Sequence, residues 1–321
     1  MGDDLLGGKS WRPRQRQQAA WLALLLGLCV GFLLGLSRCG RPELPDAESL
    51  LIRVQWPDGS QSPVELEEFI AGVVAAEMPA SFQPQALQAQ AVAARSYVLR
   101  QKGAGKHGEA AVCCDSACCQ AWRSEEELKK NWGADFPANW QKIRDAVAAT
   151  AGQVLLYEGE LIDALFCSTC GGMTEDAAEL WGSSRPYLTA HPCAYCSHSP
   201  RYSSWKRYSL AEAASRLELQ PEQIPELKLL SSTAGGRVAL LAGGERQYRG
   251  TELRSRLELD SAAFSWLLQG EEIIFLSLGY GHGVGLCQYG ADGMGRAGYA
   301  AREILSAYYP GTEQGQAADF F

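Results

Sequence analysis

The sequence predicts an α+β fold in which helices are mixed with antiparallel sheet, with a smaller inserted lobe and one N-terminal transmembrane helix ahead of it. Three observations carry this. VELEEFIAGVVAAEM and PQALQAQAVAARSYVLRQK repeat their apolar residues with helical period. VLLYEGELIDALF and VALLAGGERQY read as hairpins. AAWLALLLGLCVGFLLGL, residues 19–36, is uncharged and just long enough to cross a bilayer as a helix.

The chain has 321 residues, 46% of them hydrophobic, and a net charge of −8. That composition supports a sizeable core and lacks the basic surface a phosphate backbone needs, so nucleic acid is excluded as an expected partner. Lys9, Arg12, Arg14 and Arg16 precede the apolar run, which places residues 1–18 in the cytoplasm and everything after Ser37 outside. No A-x-A-like cleavage site follows, so residues 19–36 read as an uncleaved anchor in the cell membrane. Residues 37–49 form a polar, proline-containing linker to an extracytoplasmic domain, residues 50–321.

Within that domain, LLIRVQWPDG reads as a strand ending in a turn, followed by a helix beginning near Pro63. A second helix begins at Pro84, a residue suited to a first helical turn. Residues 124–152 have helical character, and the hairpin that follows turns at Glu158 to Glu160. About residues 205–270 the texture changes to short charged helices and a hairpin, the smaller lobe. A glycine-rich stretch and a helix ending at Pro310-Gly311 close the chain.

Glu77 is the first candidate for chemistry. It shares a helical stripe with Ile70, Val73 and Val74, so it faces the core side. A carboxyl in apolar surroundings resists ionisation, which suits a general acid near neutral pH. Arg95 shares a stripe with Ala91, Val92 and Leu99, and an inward guanidinium requires an acidic partner or an anionic ligand.

Of eleven cysteines only Cys29 lies in the apolar run. In KHGEAAVCCDSACCQAW, His107, Cys113 and Cys119 recur at six-residue intervals, an unusual spacing for a zinc finger, and vicinal disulfides remain an alternative. Cys167 and Cys170, then Cys193 and Cys196, form two C-x2-C pairs, which leaves open a structural zinc or disulfides. GYGHGVGLCQYG surrounds His282, Gln288 and Tyr289 with glycines that let the backbone approach a ligand.

Together these motifs resemble a known family. AGVVAAEMPASFQPQALQAQAVAARSYVLR is similar to the opening signature of the stage II sporulation protein D family, FCSTCGGMTEDAAELWG to its middle motif, and GYGHGVGLCQYGADGMGRAGYAAREILSAYYPGT to its closing one. The resemblance spans about residues 50–314. It implies a membrane-anchored lytic transglycosylase acting on peptidoglycan strands in the engulfment stage of sporulation, with Glu77 catalytic.

It also implies that Arg95 holds the muramic lactyl carboxylate or positions Glu77, with substrate contacts at Ser168, His282, Gln288 and Tyr289, and zinc at His107, Cys113 and Cys119. A second metal set would be Cys167, Cys170, Cys193 and Cys196, although Cys167 and Cys170 replace the family's usual His and Ser. The partners implied are the sporulation amidase, stage II protein P, and the membrane protein, stage II protein M. Two other readings are a glycan-binding activator of a cell-wall amidase and a zinc hydrolase.

Overall fold

The computed structural model describes residues 50–321, so the expected cytoplasmic segment, membrane anchor and linker lie outside the described residues. Among the described residues no helix is long and apolar enough to cross a membrane. The expected α+β class holds: helices are mixed with small, largely antiparallel sheets.

Strand Leu51–Gln55 pairs antiparallel with Gln61–Glu65 and parallel with Val112–Cys113. Residues from Pro63 to Glu65, expected to open the helix, instead finish the second strand, and the helix spans Leu66–Glu77. Pro63 sits opposite Arg53 on the sheet's edge, where a missing N–H breaks no ladder. The helix stops because Met78, preceding Pro79, is forced into extended geometry (φ −124°, ψ 141°).

After the short turn, helix Pro84–Ala104 starts with proline in its first turn and ends at Gly105 in the left-handed conformation. It is rich in alanine and buried over most of its surface, so it forms the axis of the main body. Helices Glu125–Trp132, Phe136–Ala148 and Ala301–Tyr308 surround the same core. Strands Gln153–Tyr157 and Glu160–Leu161 form the expected hairpin, with Glu158 and Gly159 both at positive φ, as a two-residue turn requires. The partner on the other side, Glu313–Gln316, was not apparent in the sequence.

A second hydrophobic cluster, including Tyr208, Leu217, Ile224, Leu241, Tyr248, Phe264 and Phe275, forms a smaller lobe. Its two three-stranded sheets fall within the stretch that opens with strand Ser203–Ser209 and closes with strand Glu272–Leu278, both in the same sheet. These strands pair antiparallel, Ser203 opposite Leu278, and just beyond them Gly279 N–H donates to Tyr202 O at 2.8 Å. The lobe therefore leaves and re-enters the main body at one place. There the buried Glu175 of the main body meets Arg237 of the lobe (3.5 Å), and accepts from the Thr233 hydroxyl and Gly235 N–H.

One glycine is fixed by packing against the first helix. A Cβ on Gly72 would lie 2.7 and 2.8 Å from ring carbons of Trp122, which packs with Trp56 and Phe69. Alanine is the better helix former by about 1 kcal/mol, but overpacking costs about 1–3 kcal/mol. Gly72→Ala is therefore expected to lower the urea midpoint, and an unchanged or higher midpoint would refute this packing account.

Candidate functional site

Glu77, the last residue of its helix, faces a cleft of about 350 Å³. The segment that follows the His107 to Cys119 loop lies across the helix end. There Ala121 N–H donates to Glu77 Oε1 at 2.8 Å, and Trp122 packs over Gly72. On the other side Gln288 Nε2 contacts Glu77 Oε2 at 3.4 Å and Gln90 Oε1 at 3.4 Å. Burial pushes the Glu77 carboxyl above its ordinary range, outweighing the opposing hydrogen bonds from Ala121 and Gln288. Oε1 has the shorter hydrogen bond, so Oε2 is the oxygen better placed to carry a proton.

Glu77 is the one carboxylate among the described residues lining this cleft. Its neighbours include Tyr97, Gln120, Ser168, Tyr280, His282 and Gln288. His282 has its titration lowered to about 4, mainly by burial, so it is neutral at neutral pH. Its Nδ1 accepts from Val284 N–H at 3.0 Å, which leaves Nε2 as the donor. Ser168, His282 and Gln288 are thus brought to the cleft as expected from sequence.

Arg95 and Tyr289 are not. Arg95 is fully buried and pairs bidentately with Glu67, Nε to Oε1 at 2.9 Å and Nη2 to Oε2 at 2.6 Å, while Nη1 donates to Gln153 O at 2.8 Å. All the nitrogens of its guanidinium are occupied, so it braces the helices and strand instead of meeting substrate. Tyr289 packs edge-on against Phe82 (4.9 Å between centroids) and beside His198 (5.4 Å), away from the cleft lining. It follows Gln288 into helix Gln288–Arg296, a stretch read from sequence as glycine-rich loop.

The first cysteine cluster gains a member. His107, Cys113, Cys118 and Cys119 bring one donor atom each to within 4.8 Å of one another, and Cys118 was absent from the expected set. His107 Nε2 lies 3.1 Å from Cys119 Sγ and 3.7 Å from Cys118 Sγ. Three sulfurs and one imidazole nitrogen form a donor set that fits zinc. The vicinal pair in the sequence was the available signal for Cys118.

The second cluster changes a member. Cys170, Cys193, Cys196 and Cys287 converge, whereas Cys167 lines the cleft. Strands Phe166–Cys167 and Leu286–Cys287 pair in parallel with Cys167 opposite Cys287. Only that distant pairing brings Cys287 to the group, and nothing local in the sequence announces it.

Comparison with known proteins places this arrangement in a family. A family model described as Stage II sporulation protein matches residues 60–157. Stage II sporulation protein D of Bacillus subtilis (strain 168) is 38% identical over 261 residues, covering 80% of this chain and 76% of that protein. The chain belongs to the stage II sporulation protein D family. Another family member, from Bacillus amyloliquefaciens, is 37% identical over the same length. An Amidase enhancer of Bacillus subtilis is 27% identical over 298 residues, covering 76% of this chain but 40% of its own length. The residues matched by the stage II family model include Glu77, the whole first cysteine cluster and Arg95, while the closing motif with Gln288 lies beyond it.

Proposed function

We propose that the chain is a membrane-anchored lytic transglycosylase that cleaves peptidoglycan strands between N-acetylmuramic acid and N-acetylglucosamine during engulfment. The observation that carries this reading is the lone desolvated carboxyl in the cleft. Glycosidases that use water or an enzymic nucleophile generally need two carboxylates. One suffices when the sugar's own hydroxyl attacks.

Protonated Glu77 donates to the glycosidic oxygen as the C1–O bond breaks. The muramyl 6-hydroxyl then closes on C1 and returns its proton to Glu77, leaving a 1,6-anhydro end and a regenerated acid. Ala121 N–H and Gln288 hold the carboxyl during both proton transfers. Neutral His282 is held at the cleft wall by Val284 N–H and the Phe166 backbone, so it shapes the sugar's pocket without adding a charge.

His107, Cys113, Cys118 and Cys119 would hold zinc, whose role is to fix the loop that delivers Ala121 to Glu77. Four protein donors would leave no position for a substrate water, so a zinc held there would support the site and not supply hydrolytic chemistry. The relevant strands are those stripped of stem peptides, and the domain acts outside the membrane.

Mass spectrometry of digests of peptide-free strands tests the reading. Wild type should release 1,6-anhydro-muramyl products, and Glu77→Ala should release none. Equal anhydro product from both proteins would end the proposal. The similarity to an Amidase enhancer favours a second role, in which the cleft holds glycan and recruits the sporulation amidase, stage II protein P, with stage II protein M as membrane partner. Full function of Glu77→Gln in cells would make binding the primary role.

A further inference from the structure

We propose that Cys170, Cys193, Cys196 and Cys287 form a second metal site, a buried four-thiolate zinc centre that clamps the neck of the inserted lobe. Their exposures are 1%, 4%, 0% and 0%, and their sulfurs all lie within 4.8 Å of one another. The proposed cleavage chemistry uses none of them, and none lines the cleft. The Cys170 and Cys196 sulfurs are 3.7 Å apart. A zinc–sulfur distance of about 2.3 Å gives a tetrahedral edge of about 3.8 Å. All four cysteines are free thiols, not bonded pairs.

The surroundings suit thiolates. Binding zinc would release the thiol protons and leave a doubly negative centre, which needs donors aimed at sulfur. Cys170 N–H points at Cys287 Sγ at 3.2 Å, Gly290 N–H at the same sulfur at 3.3 Å, and the Tyr308 hydroxyl lies 3.1 Å from Cys193 Sγ. The closeness of this shell excludes a side chain at position 290, where a Cβ would stand 2.7 Å from Cys193 Sγ.

Position in the chain gives the centre its role. Cys196 lies shortly before the lobe's first strand at Ser203, and Cys287 shortly after its last strand ends at Leu278. Cys170 lies two residues after Ser168, and Cys287 directly precedes Gln288, so two cleft residues stand within two positions of the proposed ligands. The centre would therefore hold both ends of the lobe and steady Gln288 against Glu77.

Metal content of the purified full chain tests this. Wild type should carry two zinc ions per chain, and His107→Ala/Cys118→Ser should retain one. Adding Cys196→Ser should remove the last. Denaturation and alkylation without reductant should label all four cysteines in wild type, a readout that needs no variant to fold. No zinc in the first-cluster variant, or disulfide-linked peptides joining two of the four, would overturn the proposal, whereas a single wild-type zinc that survives in that variant would count against the first cluster alone.

Discussion

Glu77→Gln is expected to lower turnover on peptide-free strands by about 10²–10⁴-fold, the contribution typical of a positioned general acid. Glutamine keeps the side chain's length and can still accept from Ala121 N–H, but it cannot donate a proton to the leaving oxygen. Wild-type turnover should fall as pH rises through the elevated titration of Glu77, because the ionised form has no proton to give.

Stability supplies an independent readout. Burial raises the folded-state pKa of Glu77 above its unfolded value, so between the two values the native state binds more protons than the unfolded chain. Stability should then fall as pH rises through that window. Glu77→Gln removes the effect and should melt higher than wild type at neutral pH, with the advantage vanishing below the ordinary glutamate range. A melting difference that ignores pH, or a pH-rate profile showing no acid group above that range, would contradict the desolvated carboxyl.

Arg237→Leu is expected to lower the unfolding free energy by about 3–5 kcal/mol, the usual result of leaving one member of a buried ion pair behind. Glu175 is fully buried, and its remaining partners, the Thr233 hydroxyl and the Gly235 and Asp176 N–H groups, are neutral. Arg237 also donates to Cys170 O at 3.2 Å, tying the lobe to the segment that follows strand Phe166–Cys167 and includes Ser168. Glu175→Leu/Arg237→Leu should recover part of the loss, because the stranded charge is then gone. Urea unfolding of the two variants decides it. A double variant no more stable than Arg237→Leu would show that the pair's hydrogen bonds to the surrounding backbone matter more than the charge left behind.

The sequence was most legible where local period decides structure. The stripe of Ile70, Val73 and Val74 is fully buried and carries Glu77 to the cleft, and Pro84 and Gly105 bound the second helix. Inward-facing Arg95 was also readable, but its partner was not. Glu67 and Glu77 lie at opposite ends of one helix, and only the packing of the two helices selects Glu67. Tyr289 shows the same limit, since its neighbour Gln288 reaches the cleft while it turns onto Phe82.

Glycine density misled where tertiary packing overrides propensity. Helix Gln288–Arg296 contains three glycines, and a Cβ on Gly293 would stand 2.9 Å from that of Tyr195. Close approach of another backbone, not a loop, explains why glycine is there. Cys287 and Cys118 illustrate the remaining gap. Ligand sets assembled across 117 residues, as from Cys170 to Cys287, leave no spacing pattern to read.

The shared exit and entry of the smaller lobe bears on how the chain finds its fold. Contacts between Cys170 and Cys287 close a loop of 117 residues if the intervening chain is unstructured. Once the lobe has condensed on its own core, Tyr202 and Gly279 are neighbours, and the same closure spans a few tens of residues of free chain. A long-range search becomes a local one. The lobe then acts as a folded splice in the middle of the main body, shortening the path by which the two halves of the cleft meet.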